Sequence, residues 1–216
     1  MRLFRSAGPA GLVLAAVLAV AACTVPGQPS RAVDLAERAV APADFPYGAA
    51  TAVPAAQVPG ALADITFRPL RGEVSPPECT PAAVDTGTAQ IRVGPGGPAQ
   101  GTLTTAVVKV TGGLDELEAA RRQCPEFTGG ATGAQRMSVT PAQARSPEGS
   151  DAAVTAAVWT LSVPGGAAAT RIDEWIAQRG DIRVYVQNRH PDGELDTAER
   201  TATEYLFDTA VRSAFG

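Results

Sequence analysis

"ATRIDEWIAQRGDIRVYVQN", residues 169–188, is the stretch whose reading decides the fold. Its second half, Ile182-Arg183-Val184-Tyr185-Val186, alternates as a half-buried strand does. Its first half supports two periods. Ile172, Trp175 and Ile176 suit one face of a helix, whereas Ile172, Glu174 and Ile176 alternate as in a strand. Between the halves stands Gly180-Asp181, a pair that closes tight two-residue turns. We read the whole stretch as a β-hairpin with Arg179-Gly180-Asp181 at its tip. The same three letters spell an integrin-binding tripeptide, but a hairpin turn demands them without any such role. A strand pair here makes the sheet antiparallel.

Working outward, strands are expected at 63–70, 88–93, 101–111, 134–140 and 152–163, where apolar and β-branched residues run between Gly- and Pro-rich loops. The period changes to that of a helix at 114–124, where Leu114, Leu117, Ala120 and Cys124 share a face. Asp115 and Glu116 open this helix, Arg121 and Arg122 close it in favour of its dipole, and Pro125 ends it. The C-terminal segment is a second helix. Asp196 and Glu199 form a capping pattern, Ala202, Leu206, Phe207, Ala210 and Ala214 make an apolar arc, and Arg200, Glu204, Asp208 and Arg212 recur on the solvated side. Without regular βαβ alternation the class is α+β: an antiparallel sheet of about six strands with helices packed on one face.

The N-terminus carries an address. Arg2 and Arg5 precede an uncharged apolar run from Gly11 to Ala22. As a helix that run spans ~18 Å, too short for a bilayer core, so residues 1–22 read as a secretory signal peptide. Residues 23–60 are Ala/Pro-rich and read as a tether, with a short helix around Asp34–Ala41. Residues 61–216 read as a single globular domain.

Two cysteines remain beside Cys23. In an exported chain the isolated pair Cys79 and Cys124 forms a disulfide; a redox or metal pair is the alternative. No CxxC is present, and a zinc site would need further ligands that the chain lacks. The inward helical face of Cys124 suits a shielded bridge.

A net charge of −4 argues against a nucleic-acid partner. His190, the only histidine, lies in "NRHPDGELD", whose acidic spacing does not complete a calcium loop and reads as a plain loop. There is no G-x-S-x-G, no HExxH and no phosphate-cradling Gly-Lys-Ser/Thr, so catalysis is not expected, with a hydrolase using His190 as the least favoured reading. Neither a metal nor a cofactor is expected. Aromatic residues are scarce at 5%, but Trp159, Trp175 and Tyr185 suffice for a small apolar binding surface.

Val20-Ala21-Ala22-Cys23 resembles the bacterial lipobox, which implies lipidation of Cys23 and attachment to the extracytoplasmic face of the cell membrane. With the Pro-rich tether, "VSPPECTPAAV", "ARRQCPEF", "IAQRGDIRVYV" and a closing Ala-rich helix, the chain resembles exported lipoproteins of mycobacteria and related actinomycetes. Their folded part is similar to the extracellular sensor domain of a mycobacterial Ser/Thr kinase. That resemblance implies a non-catalytic sensor-like module. A small apolar envelope ligand would be held between sheet and helices. A scaffold docking on an envelope protein by a flat patch is the alternative.

Overall fold

Among the described residues eight strands join in one sheet, every neighbouring pair antiparallel. They are β1 (Thr51–Ala52), β2 (Gln90–Pro95), β3 (Thr102–Lys109), β4 (Glu126–Gly129), β5 (Gln135–Ala142), β6 (Ala153–Ser162), β7 (Thr170–Arg179) and β8 (Ile182–Pro191), in the order β1-β2-β3-β8-β7-β6-β5-β4. Among the described residues three α-helices accompany them: α1 (Val58–Thr66), α2 (Leu114–Gln123) and α3 (Thr197–Phe215). The computed structural model describes residues 34–98, 100–130, 135–163, 165–166, 168–191 and 193–216. The signal-peptide reading of 1–22 and the lipidation of Cys23 lie outside the described residues.

The decisive stretch is a hairpin, β7 pairing with β8 around Gly180-Asp181. Gly180 has φ 62°, and among the described residues the positive-φ positions do not include Asp181. Positive φ at the first turn residue alone is the type II′ pattern, whose twist suits the flanking strands. Beyond this hairpin the sheet departs from the expected count of about six. β1 and β4 are added at the two edges, and both are too short to carry a readable period. Short edge strands also leave little unpaired backbone on which another chain could pair.

Residues 63–70 are not a strand. Val58, Leu62 and Ile65, spaced by four and three, are the buried stripe of α1, with Pro59 in its first turn. The helix ends at Phe67, which adopts the left-handed conformation at φ 58°. A bulky residue is strained there, and its ring is held by stacking on Trp159 with centroids 3.9 Å apart.

Helices cover both faces rather than one. On one face, Leu103, Val107, Trp175, Val184 and Val186 pack against Leu206, Phe207, Ala210, Val211 and Ala214 of α3. On the other, Ile91, Ala106, Val108, Ile176 and Tyr185 pack against α1 and Leu114 of α2. Continuing along that second face, Cys79, Cys124, Phe127, Trp159 and Ile172 form a third cluster. Ile172 to Ala177 and Ile182 to Asn188 are therefore buried without a break, as central strands covered on both sides must be.

The domain also begins earlier than residue 61. Asp34 caps a 3-10 turn over Leu35–Arg38 through the Ala36 amide. Leu35, Val40, Phe45 and Ala50 join the α3 face of the core. The compact unit takes in residues 34–60, so these belong to the folded domain and not to a tether. Four apolar side chains anchor this segment, and burying Leu35, Val40 and Phe45 stabilises it by about 1.5–3 kcal/mol each.

The expected capping box stands at α3, Asp196 and Glu199 satisfying each other's backbone amides. At the far end Arg38 donates to the Ala214 carbonyl and Arg179 to that of Phe215, meeting carbonyls that the helix leaves open. Asp208 pairs with Arg145 of the β5–β6 loop, across to another element instead of along the helix.

Candidate functional site

Cys79 and Cys124 are bonded, with Cα atoms 5.5 Å apart. The bridge ties the 3-10 turn at Pro77–Cys79 to the end of α2. Between this staple, α2, the end of α1 and the sheet lies a cavity of about 200 Å³. Phe67, Phe127, Trp159, Leu117 and the disulfide give it an apolar interior, with Arg121, Arg183 and Tyr185 at its polar end. Glu78 and Glu116, both exposed, stand at its mouth.

Strand alternation places the floor. Trp159 on β6 and Tyr185 on β8 face the same side of the sheet and both line the cavity. Trp175, the third aromatic residue of the predicted binding surface, is not brought together with them. It precedes Ile176 by one position, so it points to the other face and packs beneath α3.

Behind the lining stands a buried polar group that the sequence reading missed. The Glu174 carboxylate, fully buried, accepts hydrogen bonds from Arg121, from the Trp159 indole Nε1 at 3.1 Å and from Gln187 Nε2 at 2.7 Å. Gln187 Nε2 also donates to the Ile65 carbonyl at 2.8 Å, linking this group to α1. The Arg121 guanidinium lies 5.4 Å from the centroid of the Trp159 ring, within cation–π range. Next to it Arg183, buried, donates to Gln178 Oε1, the Tyr185 hydroxyl and the carbonyls of Gly112 and Gly113. Burial holds the Tyr185 phenol above its ordinary pKa, against the opposing pull of Arg183.

A signal for these residues was present. Glu174 falls in register between Ile172 and Ile176, which puts a carboxylate on a buried strand face, and such a group needs donors. Arg121 is seven positions after Leu114, two helical turns along the inward side, so its role goes beyond the helix dipole. No comparable pattern names Gln187, because its partner lies on another strand.

His190 is not in a loop. It is the penultimate residue of β8, buried on the α3 side of the sheet, with Nε2 2.8 Å from Asp173 Oδ2 and Nδ1 2.8 Å from the Pro191 carbonyl. Arg171 approaches the same carboxylate oxygen at 3.4 Å. The pair stands across the sheet from the cavity, since Asp173 alternates with Glu174. Asp196 serves as the cap of α3.

No family model matches the chain, and no curated protein matches it. Among solved structures, an X-ray structure of an uncharacterised protein from Mycobacterium smegmatis is similar at a TM-score of 0.40 and 15% identity, over 77% of this chain and 85% of that one. The likeness is a distant one. Among the described residues no helix is long and apolar enough to cross a membrane.

Proposed function

We propose that this chain is a cell-envelope lipoprotein, exported by residues 1–22 and held on the extracytoplasmic face of the membrane by lipid on Cys23. Its folded domain is a non-catalytic, sensor-like module that binds a small, largely apolar ligand. The observation that carries this reading is the cavity between sheet and α2, walled by Phe67, Phe127, Trp159 and the disulfide. Concave, mostly apolar spaces with a few convergent polar groups are where proteins hold small molecules. The lipobox-like Val20-Ala21-Ala22-Cys23 and the resemblance to actinobacterial exported lipoproteins support the location. His190, on the opposite side of the sheet from the cavity, supports binding without chemistry. A pocket is also a better fit to a ligand than to a docked envelope protein, which would use a flat patch. Among the described residues the exposed large apolar side chains are Leu70, Val163 and Tyr205, one each on separate segments.

The test compares the wild-type full chain with Ala120→Trp, which places an indole in the cavity from the exposed side of α2. Both are extracted from an actinobacterial host in copolymer nanodiscs, and the small molecules released on denaturation are read by mass spectrometry. A species enriched in the wild type and lost from the variant is the expected result. Identical profiles would overturn the reading. Palmitate labelling that disappears in Cys23→Ser tests the anchor in the same preparations.

A further inference from the structure

The charge around the cavity does not balance. Arg121 and Arg183 both form part of its wall, and among the described residues the buried carboxylate beside them is Glu174. Glu174 is already taken: it accepts from Arg121, Trp159 and Gln187. Arg183 is 4% exposed, and its hydrogen bonds run to neutral oxygens of Gln178, Tyr185, Gly112 and Gly113. Arg121 spends one nitrogen on Glu174, while its Nε and Nη1, both buried, have no hydrogen-bond partner. Two guanidinium groups thus face one carboxylate that already accepts three hydrogen bonds, and two donors of Arg121 are unspent. Glu78 and Glu116 at the mouth are exposed and screened by water. Buried donors and buried cations without a counter-charge are costly, and an arginine beside an apolar space meets that cost best with a carboxylate.

Size narrows the ligand further. An apolar cavity of ~150 Å³ holds benzene, and this one measures about 200 Å³, room for one ring and a short polar arm. Building on the ligand-binding reading above, we propose that the cavity takes a small aromatic carboxylate. Its ring lodges among Phe67, Phe127, Leu117 and Trp159, and its carboxylate draws the Arg121 guanidinium toward the cavity, so that the donors now buried in the wall meet it in the field of Arg183.

Titration calorimetry of the full chain in nanodiscs with three probes of matched size tests this: benzoate, benzamide and toluene. Benzoate is expected to bind about tenfold or more tightly than benzamide, an advantage that shrinks as salt is added. Equal or tighter binding of benzamide or toluene, abolished by Ala120→Trp, would overturn the carboxylate preference while leaving a cavity that binds apolar ligands. Benzoate binding unchanged by Ala120→Trp would place it outside the cavity and overturn the proposal. No binding of any probe would overturn it as well, and if the released-ligand profiles were also identical the wider reading would fall with it. The neutral pair Arg121→Gln/Glu174→Gln, which removes the Arg121 donors and both charges, is expected to cut the advantage of benzoate over benzamide; an undiminished preference would overturn the role of Arg121. Because the probe comparison is made on the wild type, it does not depend on how any variant folds.

Discussion

Replacing Glu174 by Gln probes the group on which the cavity floor depends. The substitution preserves volume, so no cavity opens, but the Arg121 guanidinium loses its counter-charge at a site where the Glu174 side chain is 0% and the Arg121 side chain 11% exposed. The new amide also turns an NH₂ toward a donor, either Gln187 Nε2 or the Arg121–Trp159 pair, because both carboxylate oxygens now accept. Breaking a buried ion pair by removing one partner costs about 3–5 kcal/mol. For a domain of this size each kcal/mol lowers Tm by about 2–4 °C, so the expected fall is about 6–20 °C. Circular dichroism through the thermal transition gives the global effect, and Trp159 emission in a Trp175→Phe background reports the site itself. A second variant, Arg121→Met, and the double variant complete a cycle. Once the arginine is gone the glutamine leaves no charge stranded, so the double variant is expected to lose less than the sum of the singles, by about 1–3 kcal/mol. A single-variant cost under about 1 kcal/mol, together with additivity, would refute the account of Glu174 as a buried, charge-paired floor.

Two further outcomes follow from the same geometry. Replacing Cys79 and Cys124 by Ser releases a loop with a sequence separation of 45, for which the chain-entropy relation gives about 4 kcal/mol; a Tm fall of about 8–16 °C is expected, and an unchanged Tm would show that the bridge adds nothing to stability. Tyr185 sets an alkaline limit: its folded pKa is raised by burial, so its contribution is whole below pH about 10 and is lost as pH rises beyond that, when the unfolded chain ionises first. Tyr185→Phe is expected to flatten the stability loss above pH about 10 in urea titrations, and an identical alkaline slope would contradict the burial of that hydroxyl.

Local signals marked the elements that local forces build. The alternation of β8, the Gly180 turn, the Asp196–Glu199 box and the dipole-matched charges of α2 are interactions within a few residues, and each was legible in the chain. At 63–70 two short-range patterns competed. Ala63 to Phe67 alternates like a strand, yet the stripe of Val58, Leu62 and Ile65 begins before the window and wins through its burial on the sheet. The segment 34–60 misled for a related reason: its Pro- and Ala-rich composition resembles a tether, while four separated apolar side chains hold it to the core.

By itself the sequence determined the antiparallel class, the hairpin at its centre, the closing helix and the pairing of Cys79 with Cys124. Only the tertiary structure decided that helices cover both faces of the sheet, that Trp159 and Tyr185 share a cavity while Trp175 lies across from it, and that Arg121, Glu174 and Gln187 meet. The physical reason is the separation along the chain of the groups that meet. Arg121 and Glu174 are 53 residues apart, and Gln187 and Ile65 are 122 apart. Hydrophobic period is written locally, one residue after another, but a buried charge finds its partners only where strand order and helix docking bring distant segments together.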